Sequence, residues 1–328
     1  MPNPDLAMSM NKVLLLGGTG FVGRATCAEL VQRAGGGGAT VAVATRRLGH
    51  ARAVQSLPTV EVFEADVVGD TGALDRLLAG RDAVVHLIAV LHGDARRFEQ
   101  LHVEWPRRLG EACRRAGVKR VVHVSALGVA ADAPSMYLRS KAGGEAALAQ
   151  AGLDLTVLRP SVIFGAEDRL LNLFAALQRV FPVVPLAGAD ARFQPVWVQD
   201  VARAIVHCLE QPHTAGQTYE CAGPRVLTLA DLVRLAGRVA GCERPVIPLP
   251  PALAALQARL MELLPGEPLM SRDNLRSMQV PNVATGTLPG LSSLGIEPAS
   301  LEAVVPTYLG SDAGRARLTP LRARAHRG

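Results

Sequence analysis

The sequence predicts an α/β protein in which a doubly wound parallel sheet is followed by a smaller C-terminal lobe. Short apolar runs alternate with helix-like segments through the first half of the chain, as in parallel strands joined by helical crossovers. The first run, residues 13–16, leads directly into glycines that open a helix. A length of 328 residues allows one large domain with an additional lobe. We therefore expect a ligand across the carboxyl ends of the strands.

The glycine segment after the first strand carries the strongest local signal. Gly18, Gly20 and Gly23 have the G-x-G-x-x-G spacing, which permits a tight turn, close approach of a pyrophosphate and packing of the helix on the strand. The same spacing also fits an ordinary glycine-rich turn, because the chain contains 32 glycines. Its position between an apolar strand and a helix favours a Rossmann-type dinucleotide site with phosphates at the helix N-terminus. The expected binding segment is Gly17, Gly18, Thr19, Gly20, Phe21, Val22 and Gly23.

The second strand indicates which dinucleotide binds. It covers residues 40–44, follows a flexible glycine turn at residues 35–38, and ends at Arg46 and Arg47. NAD sites carry an acidic residue about twenty positions beyond the glycines, whereas an arginine there neutralises the 2′-phosphate of NADP. No Asp or Glu stands at this strand end. The sequence therefore predicts NADP(H) in preference to NAD(H), the alternative being a solvated arginine pair.

The third and fourth strands supply further expected cofactor contacts. Residues 60–66 alternate like a strand and bring Asp66, followed by Val67, to the adenine edge. Residues 83–89 form an apolar central strand that ends at Ala89, which we also place beside the cofactor.

The next segments complete the first half of the chain. His86 lies inside the apolar fourth strand and is interpreted as a core histidine. Residues 97–116 are predicted to form one helix, because Gly117 stands where a C-terminal cap belongs. The fifth strand covers residues 121–125.

A candidate reactive group follows the fifth strand. Ser125 stands at its carboxyl end, and Tyr137 and Lys141 come shortly afterwards, four residues apart, on one face of a helix. An ammonium beside a phenol lowers the phenol pKa from about 10, so Tyr137 is expected to exchange a proton near neutral pH. Ser125 would hold the reacting oxygen, and Lys141 would also bind the nicotinamide ribose. A chance pair is improbable, because the chain has only three tyrosines and three lysines.

Together, the glycine segment, Ser125 and Tyr137-x-x-x-Lys141 resemble the extended and atypical short-chain dehydrogenase/reductase superfamily, over residues 12 to about 220. The resemblance implies a Rossmann domain with a C-terminal lobe that closes over the substrate. It also implies that the loop after the sixth strand, with Pro160, Ser161 and Val162, passes close to the nicotinamide.

A narrower resemblance is to the branch that contains the 39-kilodalton NADPH-binding accessory subunit of respiratory complex I and its bacterial relatives. It is carried by Tyr137–Ala142, Pro160–Gly165, Glu167–Arg169, Leu171-Asn172 and Gln194–Val201, and more weakly by Ser271–Asn274 and Leu288–Leu291. It implies tight NADPH binding, and also that a member can be a structural part of an assembly. Members of the superfamily commonly carry a relay asparagine where His102 stands here, and His102 is interpreted as structural or as a replacement.

The second half of the chain contains three further expectations. Asp168 and Arg169 either pair with each other or face the substrate, and Asp200 is expected to cap a helix. Residues 229–239 form an amphipathic helix. The apolar stripe of the helix at residues 253–264 is expected to pack inside the lobe, with a membrane or partner surface as the alternative; it consists of Leu253, Leu256, Leu260, Met261 and Leu264.

These patterns define the predicted organisation. A flexible leader at residues 1–11 precedes the Rossmann domain at 12–165, to which segments around 190–225 return. The C-terminal lobe is mainly residues 166–312, and a basic tail covers 313–328.

Composition limits the classes of partner. The net charge of +6 is compatible with a phosphorylated ligand, whereas an aromatic content of 4% argues against nucleic acid. No metal site or disulfide framework is expected from the scattered cysteines Cys27, Cys113, Cys208, Cys221 and Cys242. We expect a cytoplasmic protein without a transmembrane helix, with peripheral binding at the inner face of the membrane as an alternative. The oligomeric state is not determined by the sequence.

The function predicted from these observations is an NADP-dependent oxidoreductase that acts on an apolar, quinone-like or lipid-like carbonyl or alcohol. The first alternative is a non-catalytic NADPH-binding accessory subunit or assembly factor of a respiratory-chain or membrane assembly. A nucleotide-sugar epimerase or dehydratase is the second.

Overall fold

A computed structural model describes residues 12–34, 40–263 and 268–310. The predicted leader at 1–11, the glycine turn at 35–38 and the basic tail at 313–328 lie outside these ranges. The strands are numbered in chain order: β1 (Lys12–Leu16), β2 (Thr40–Thr45), β3 (Val60–Glu64), β4 (Ala83–His86), β5 (Arg120–Val124), β6 (Asp154–Pro160), β7 (Ile163–Phe164), β8 (Val184–Leu186), β9 (Arg192–Phe193), β10 (Val196–Trp197), β11 (Thr218–Cys221), β12 (Leu227–Thr228) and β13 (Val246–Pro248).

The helices alternate with these strands. They are α1 (Phe21–Ala34), α2 (Arg52–Gln55), α3 (Thr71–Leu78), α4 (Ala95–Glu99), α5 (Trp105–Ala116), α6 (Met136–Ala149), α7 (Leu170–Val180), α8 (Val198–Glu210), α9 (Leu229–Val239), α10 (Pro251–Glu262), α11 (Arg272–Ser277), α12 (Leu301–Val304) and α13 (Pro306–Leu309). Short 3-10 turns occur at Leu48–Ala51, Pro212–Thr214 and Leu291–Leu294, and a π-helical turn, Gln100–Glu104, connects α4 to α5.

The central sheet has seven strands in the order β11-β6-β5-β4-β1-β2-β3, and all of them are parallel. The chain therefore starts in the middle, winds to one edge through β3, and returns to wind to the other edge. This is the doubly wound arrangement that the sequence predicts, with its switch point between β1 and β4. Parallel strands require cover on both faces, which explains why Leu14, Leu15 and Leu16 of β1 are fully buried.

The chain divides into two compact units. The larger unit comprises the described residues up to Ser161 together with Val198–Ala222 and Ala284–Glu297. The smaller unit comprises Val162–Trp197, Gly223–Val283 and the described residues from Pro298. Each has its own apolar core: that of the larger unit centres on the sheet, Trp105 and Leu109, and that of the smaller unit on α7 and α9.

The unit boundaries differ from the predicted organisation in two places: the first part of the larger unit ends at Ser161 and not at residue 165, and residues 284–297 also belong to the larger unit. The carboxylate of Glu220 on β11 is buried and accepts hydrogen bonds from the backbone N–H groups of Thr285 (2.8 Å) and Gly286 (3.2 Å). These long-range bonds hold residues 284–297 against the sheet. No local pattern in the sequence predicts them.

Two predicted helices differ in detail from the structure. Residues 97–116 are not one α-helix, because the π-helical turn interrupts them between α4 and α5. Asp200 lies in the first turn of α8 and is paired with Arg203, so it is not the residue that precedes the helix. The predicted helix at 229–239 is confirmed as α9, where Thr228 and Asp231 form a capping box.

Candidate dinucleotide and catalytic site

The glycine loop forms a tight connection between β1 and α1. Gly17 has a φ of +91°, which a residue with a side chain rarely adopts. A Cβ at Gly18 would lie 2.8 Å from a methyl group of Val43, and a Cβ at Gly23 would lie 2.3 Å from the carbonyl oxygen of Gly17. The backbone of Gly20 is exposed at the start of the helix. These residues fit a dinucleotide, since the loop leaves main-chain N–H groups at a helix N-terminus, where phosphates are stabilised.

The predicted adenosine contacts lie after the next two strands. Arg46 and Arg47 directly follow β2, and both are exposed. Asp66 is exposed after β3, and its Oδ1 accepts a hydrogen bond from the N–H of Gly69 at 3.2 Å. Val67 is different, because its side chain is buried in the apolar core and only its backbone could contact a ligand.

Ala89 is exposed in the loop after β4. The following residue, Val90, donates its N–H to Nε2 of His102 at 3.0 Å. This bond identifies His102 as the group that holds the loop, and it makes Nε2 an acceptor. Nδ1 of His102 therefore carries the proton and donates to Oγ of Ser140 at 2.9 Å, while the Ser140 hydroxyl donates to the carbonyl of Tyr137.

The helix that carries Tyr137 and Lys141 packs very closely on the π-helical turn. A Cβ at Gly144 would lie 2.1 Å from the carbonyl oxygen of His102, and a Cβ at Gly143 would lie 2.9 Å from a methyl group of Val103. The glycine pair of α6 therefore permits this contact. Interruptions of this kind in a helix often mark functional positions.

Lys141 reaches the carboxyl end of β5, where Ser125 follows the last residue of the strand. The ammonium of Lys141 donates to the carbonyl of Val124, the last residue of that strand, at 2.8 Å. Ser125 comes next in the chain and is buried, and its hydroxyl has no hydrogen-bond partner among the described residues. An unpartnered buried hydroxyl at this edge is a group that a bound ligand could satisfy.

Tyr137 lies one helical turn before Lys141 on α6 and is half-buried. Its ring packs edge-on against His102, with 5.7 Å between the centroids, and against Phe98 at 6.2 Å. The N-cap of the helix is Ser135, whose hydroxyl accepts from the N–H of Leu138 at 3.1 Å. Ring packing and capping thus orient the tyrosine before any ligand binds.

The electrostatics of this pair differ from the sequence-based expectation. Burial raises the pKa of Tyr137 to about 12. Burial also lowers the pKa of Lys141 to about 8, partly opposed by the negative charge of Glu145. In this arrangement burial shifts the Tyr137 pKa upward, opposite to the lowering expected from the Lys141 charge. Lys141 itself is the group that titrates near neutral pH.

A buried chain of hydrogen bonds lies beside this site and was not foreseen. Nε1–H of Trp105 donates to Nε2 of His86 at 3.0 Å, so His86 carries its proton on Nδ1 and donates it to Nδ1 of His123 at 2.8 Å. His86 is thus a core histidine, as predicted. Burial and the nearby charge of Lys141 lower the pKa of His86 to about 3 and hold that of His123 well below its usual range. The signal in the sequence is a histidine in each of two adjacent central strands.

The predicted nicotinamide loop has residues in both units. Pro160 ends β6 and Ser161 donates its N–H to the carbonyl of Cys221 at 2.9 Å, both in the larger unit. Val162 begins the smaller unit, where its N–H donates to Oδ1 of Asn282 at 2.8 Å. In the smaller unit Asp168 is buried and accepts hydrogen bonds from the N–H of Leu171 and the hydroxyl of Tyr308. Asp168 is therefore held by its own lobe.

The larger unit thus places the glycine loop, Arg46, Arg47, Asp66, Ala89 and Ser125 after the carboxyl ends of consecutive neighbours in one sheet. This fold and this residue set define the short-chain dehydrogenase/reductase class. A family model described as "NAD dependent epimerase/dehydratase family" matches residues 13–222. The chain belongs to that family, in its extended short-chain dehydrogenase/reductase branch.

Individual proteins of known sequence or structure are similar to this chain. The chain is 33% identical over 296 residues to NADH dehydrogenase (ubiquinone) 1 alpha subcomplex subunit 9, mitochondrial, of Mus musculus. The matched region covers 88% of this chain and 77% of the relative. It is 28% identical over 230 residues to (4-alkanoyl-5-oxo-2,5-dihydrofuran-3-yl)methyl phosphate reductase of Streptomyces griseus, covering 70% of this chain and 74% of the relative. The structure of DesIV, a dTDP-glucose 4,6-dehydratase from Streptomyces venezuelae, superimposes with a TM-score of 0.70 at 23% identity over 94% of this chain and 99% of the other. That likeness shows the fold.

Two kinds of feature are absent from the described ranges. Their His, Cys, Asp and Glu side chains form no group of three or more that could hold a metal ion. None of their helices has both the length and the hydrophobicity of a membrane-spanning segment.

Proposed function

We propose that this protein binds NADP(H) and is an oxidoreductase for an apolar carbonyl or alcohol. The observation that carries this proposal is the hydrogen bond from Lys141 to the last carbonyl of β5. The next residue is Ser125, whose buried hydroxyl has no hydrogen-bond partner in the described part of the chain. Maintaining an ammonium in a buried position is costly unless it is hydrogen-bonded or used in binding. The arrangement supports chemistry at this edge of the sheet.

Each residue of the site has a proposed role. NADP(H), when bound, supplies or accepts a hydride at C4 of its nicotinamide. Tyr137 holds and transfers the proton at the reacting oxygen, Ser125 donates a hydrogen bond to that oxygen, and Lys141 binds the ribose hydroxyls and orients the phenol.

The remaining proposed contacts hold the cofactor in place. The backbone of residues 17–23 binds the pyrophosphate, Asp66 and the backbone of Val67 bind adenine, and the backbone groups of Ala89 and of residues 160–162 bind the nicotinamide side. Arg46 and Arg47 bind the 2′-phosphate, which supports preference for NADP(H), since both arginines are exposed directly after β2.

A second candidate function is a non-catalytic NADPH-binding subunit or assembly factor of a respiratory enzyme. The similarity to the mouse subunit over 88% of this chain favours it. A cytoplasmic location, with peripheral binding at the inner face of the membrane, suits both candidates. The two differ in whether hydride leaves the bound nucleotide.

Isotope transfer distinguishes the two candidates. The purified protein is incubated with NADPH deuterated at nicotinamide C4 and with a metabolite and lipid extract, and the products are searched for deuterium by mass spectrometry. Transfer by the wild type and its loss in Tyr137→Phe would establish an oxidoreductase and identify the substrate. Tight retention of NADPH without any transfer would instead favour the structural subunit.

Cofactor preference has its own test. Arg46→Ala is expected to weaken NADPH binding at least tenfold and to leave NADH binding unchanged, because only NADPH carries the 2′-phosphate. Arg114→Ala, which removes an exposed arginine on α5, is the matched control and should change neither affinity. Equal losses for NADPH and NADH in Arg46→Ala would contradict the assignment.

A further inference from the structure

The smaller unit contains an apolar cavity of about 330 Å³. Its walls come from α7, from residues 181–187 around β8, from α10 and from residues 269–270. The one amide-bearing side chain in this lining is Gln257, which is turned toward the protein and donates to the carbonyl of Pro185 at 3.3 Å. A cavity with this lining is of the kind that accepts hydrocarbon more readily than water.

The cavity opens onto an exposed apolar surface. Phe181 and Leu269 line the cavity and are also 52% and 53% exposed, so they form its mouth. Next to Met261, another lining residue, α10 exposes the side chains of Leu253, Leu256, Leu260 and the adjoining Leu263, the last to 76%. An apolar surface of this extent marks an interaction site, and a membrane is one such partner.

The charges around this surface select among partners. Arg179 is exposed at the C-terminal end of α7, and Arg244 lies against the same end because its Nε donates to the carbonyl of Gln178 at 3.1 Å. The nearby carboxylates are already paired, Glu262 with Arg272 at 2.9 Å and Glu243 with Arg238 at 3.3 Å. Among the described residues, Arg179 and Arg244 therefore supply positive charge at the end of α7 next to Phe181, which complements an anionic headgroup.

We propose that this cavity binds one acyl chain of an anionic phospholipid, with Arg179 and Arg244 at its phosphate. The exposed leucines of α10 then rest in the leaflet from which that lipid comes. Burial of a chain segment in the cavity, together with contact of the leucines, supplies apolar area, while the arginines supply selectivity for anionic headgroups. This inference concerns a site in the smaller unit and does not depend on hydride transfer.

The test measures retained lipid. The full-length protein is incubated with vesicles of dioleoyl-phosphatidylglycerol or of dioleoyl-phosphatidylcholine, separated from them, and analysed by native mass spectrometry. We expect one phosphatidylglycerol per chain, retained at least tenfold more than phosphatidylcholine. Met261→Trp, which fills the cavity, is expected to reduce retention at least tenfold, and Leu269→Trp at the mouth provides a second obstruction if the first variant does not fold.

Controls separate the cavity from simple adhesion. Val226→Trp makes a similar change at an exposed apolar position of the smaller unit and should leave retention of the single lipid unchanged, because Val226 neither lines the cavity nor lies on α10. The double variant Arg179→Gln/Arg244→Gln should lose the preference for phosphatidylglycerol. Undiminished retention in both tryptophan variants, unsaturable binding of many lipids, or stronger retention of an isoprenoid quinone than of phosphatidylglycerol would overturn the proposal. NADPH affinity, measured in parallel, reports separately on the dinucleotide site.

Discussion

Two helices of similar length, α6 in the larger unit and α10 in the smaller, reverse the usual distribution of polar and apolar side chains. On α6 the side chains of Ser140 and Lys141 are buried, the latter with only 3% exposure. On α10 the buried residues are Ala254 and Ala258, while three leucines are more than half exposed. The usual tendency is for lysine to be exposed and leucine to be buried.

The comparison shows that unusual burial and unusual exposure call for different explanations. The buried lysine is held by a hydrogen bond to a strand carbonyl, in a site made by several elements, which is the environment of a reactive group. The exposed leucines lack such an arrangement in their own unit, and the expectation that the stripe of α10 packs inside the lobe is wrong for Leu253, Leu256 and Leu260. The burial of Lys141 on α6 is explained by the site within the larger unit. The exposure of the leucines on α10 is explained by the lipid contact proposed above.

The largest expected effect tests the close packing of α6. Gly144→Ala would place a Cβ 2.1 Å from the backbone carbonyl of His102, which cannot move without disturbing the π-helical turn. We expect a loss of about 1–3 kcal/mol in the free energy of unfolding, measured by urea denaturation. Gly49→Ala introduces a methyl group into open space and should be nearly neutral. Equal stabilities would show that α6 does not depend on this contact.

A second effect concerns the charge on Lys141. Lys141→Met keeps the length of the side chain but removes the ammonium, and NADPH affinity should fall at least tenfold, about 1.4 kcal/mol. In the wild type the affinity should also decrease as the pH rises through about 8, because the ammonium loses its proton there. The variant should not show this decrease. Lys119→Met, at an exposed position, serves as the control when titrations are compared by fluorescence.

A third effect concerns acid stability. The pKa of His102 is lowered from 6.5 to about 3, mainly by burial. Below pH 6.5 the unfolded chain binds a proton at this histidine that the folded chain does not bind, so the free energy of unfolding falls as the pH decreases from about 6.5 toward 3. His102 alone contributes up to about 1.4 kcal/mol per pH unit to this loss. His102→Gln can preserve both hydrogen bonds and should reduce this slope by its share, while His86 and His123, whose pKa values are also lowered, maintain the rest. His50→Gln, at an exposed site, should not; identical slopes for all three proteins would refute the assignment.

The smallest expected effect tests the exposure of α10. Leu256→Gln should change the free energy of unfolding by less than about 0.5 kcal/mol, because Leu256 is 52% exposed. The same substitution at Leu148 of α6, which is fully buried, should cost several times more. A large loss in Leu256→Gln, measured by thermal unfolding, would place that leucine in a core and remove the contrast between the two helices.

The sequence by itself determined the doubly wound fold, the family and the positions of the local elements. Apolar runs, the glycine spacing and the boundaries of α9 are properties of neighbouring residues, so they can be recognised without knowledge of distant contacts. The order of β1, β2 and β3 likewise follows from short right-handed crossovers. The roles of Ser125, Tyr137 and Lys141, and the preference for NADP(H), remain predictions.

Only the tertiary structure decided the environment of each side chain. Three sets of contacts join residues that are separated in sequence. They are the hydrogen-bonded chain Trp105–His86–His123, the hydrogen bond from Val90 to His102, and the bonds from residues 285 and 286 to Glu220. The direction of the Tyr137 pKa and the exposure of the α10 leucines also depend on which atoms exclude water. Burial is a property of the assembled chain, and hydrogen bonds and pKa values depend on burial, so neither can be derived from local spacing.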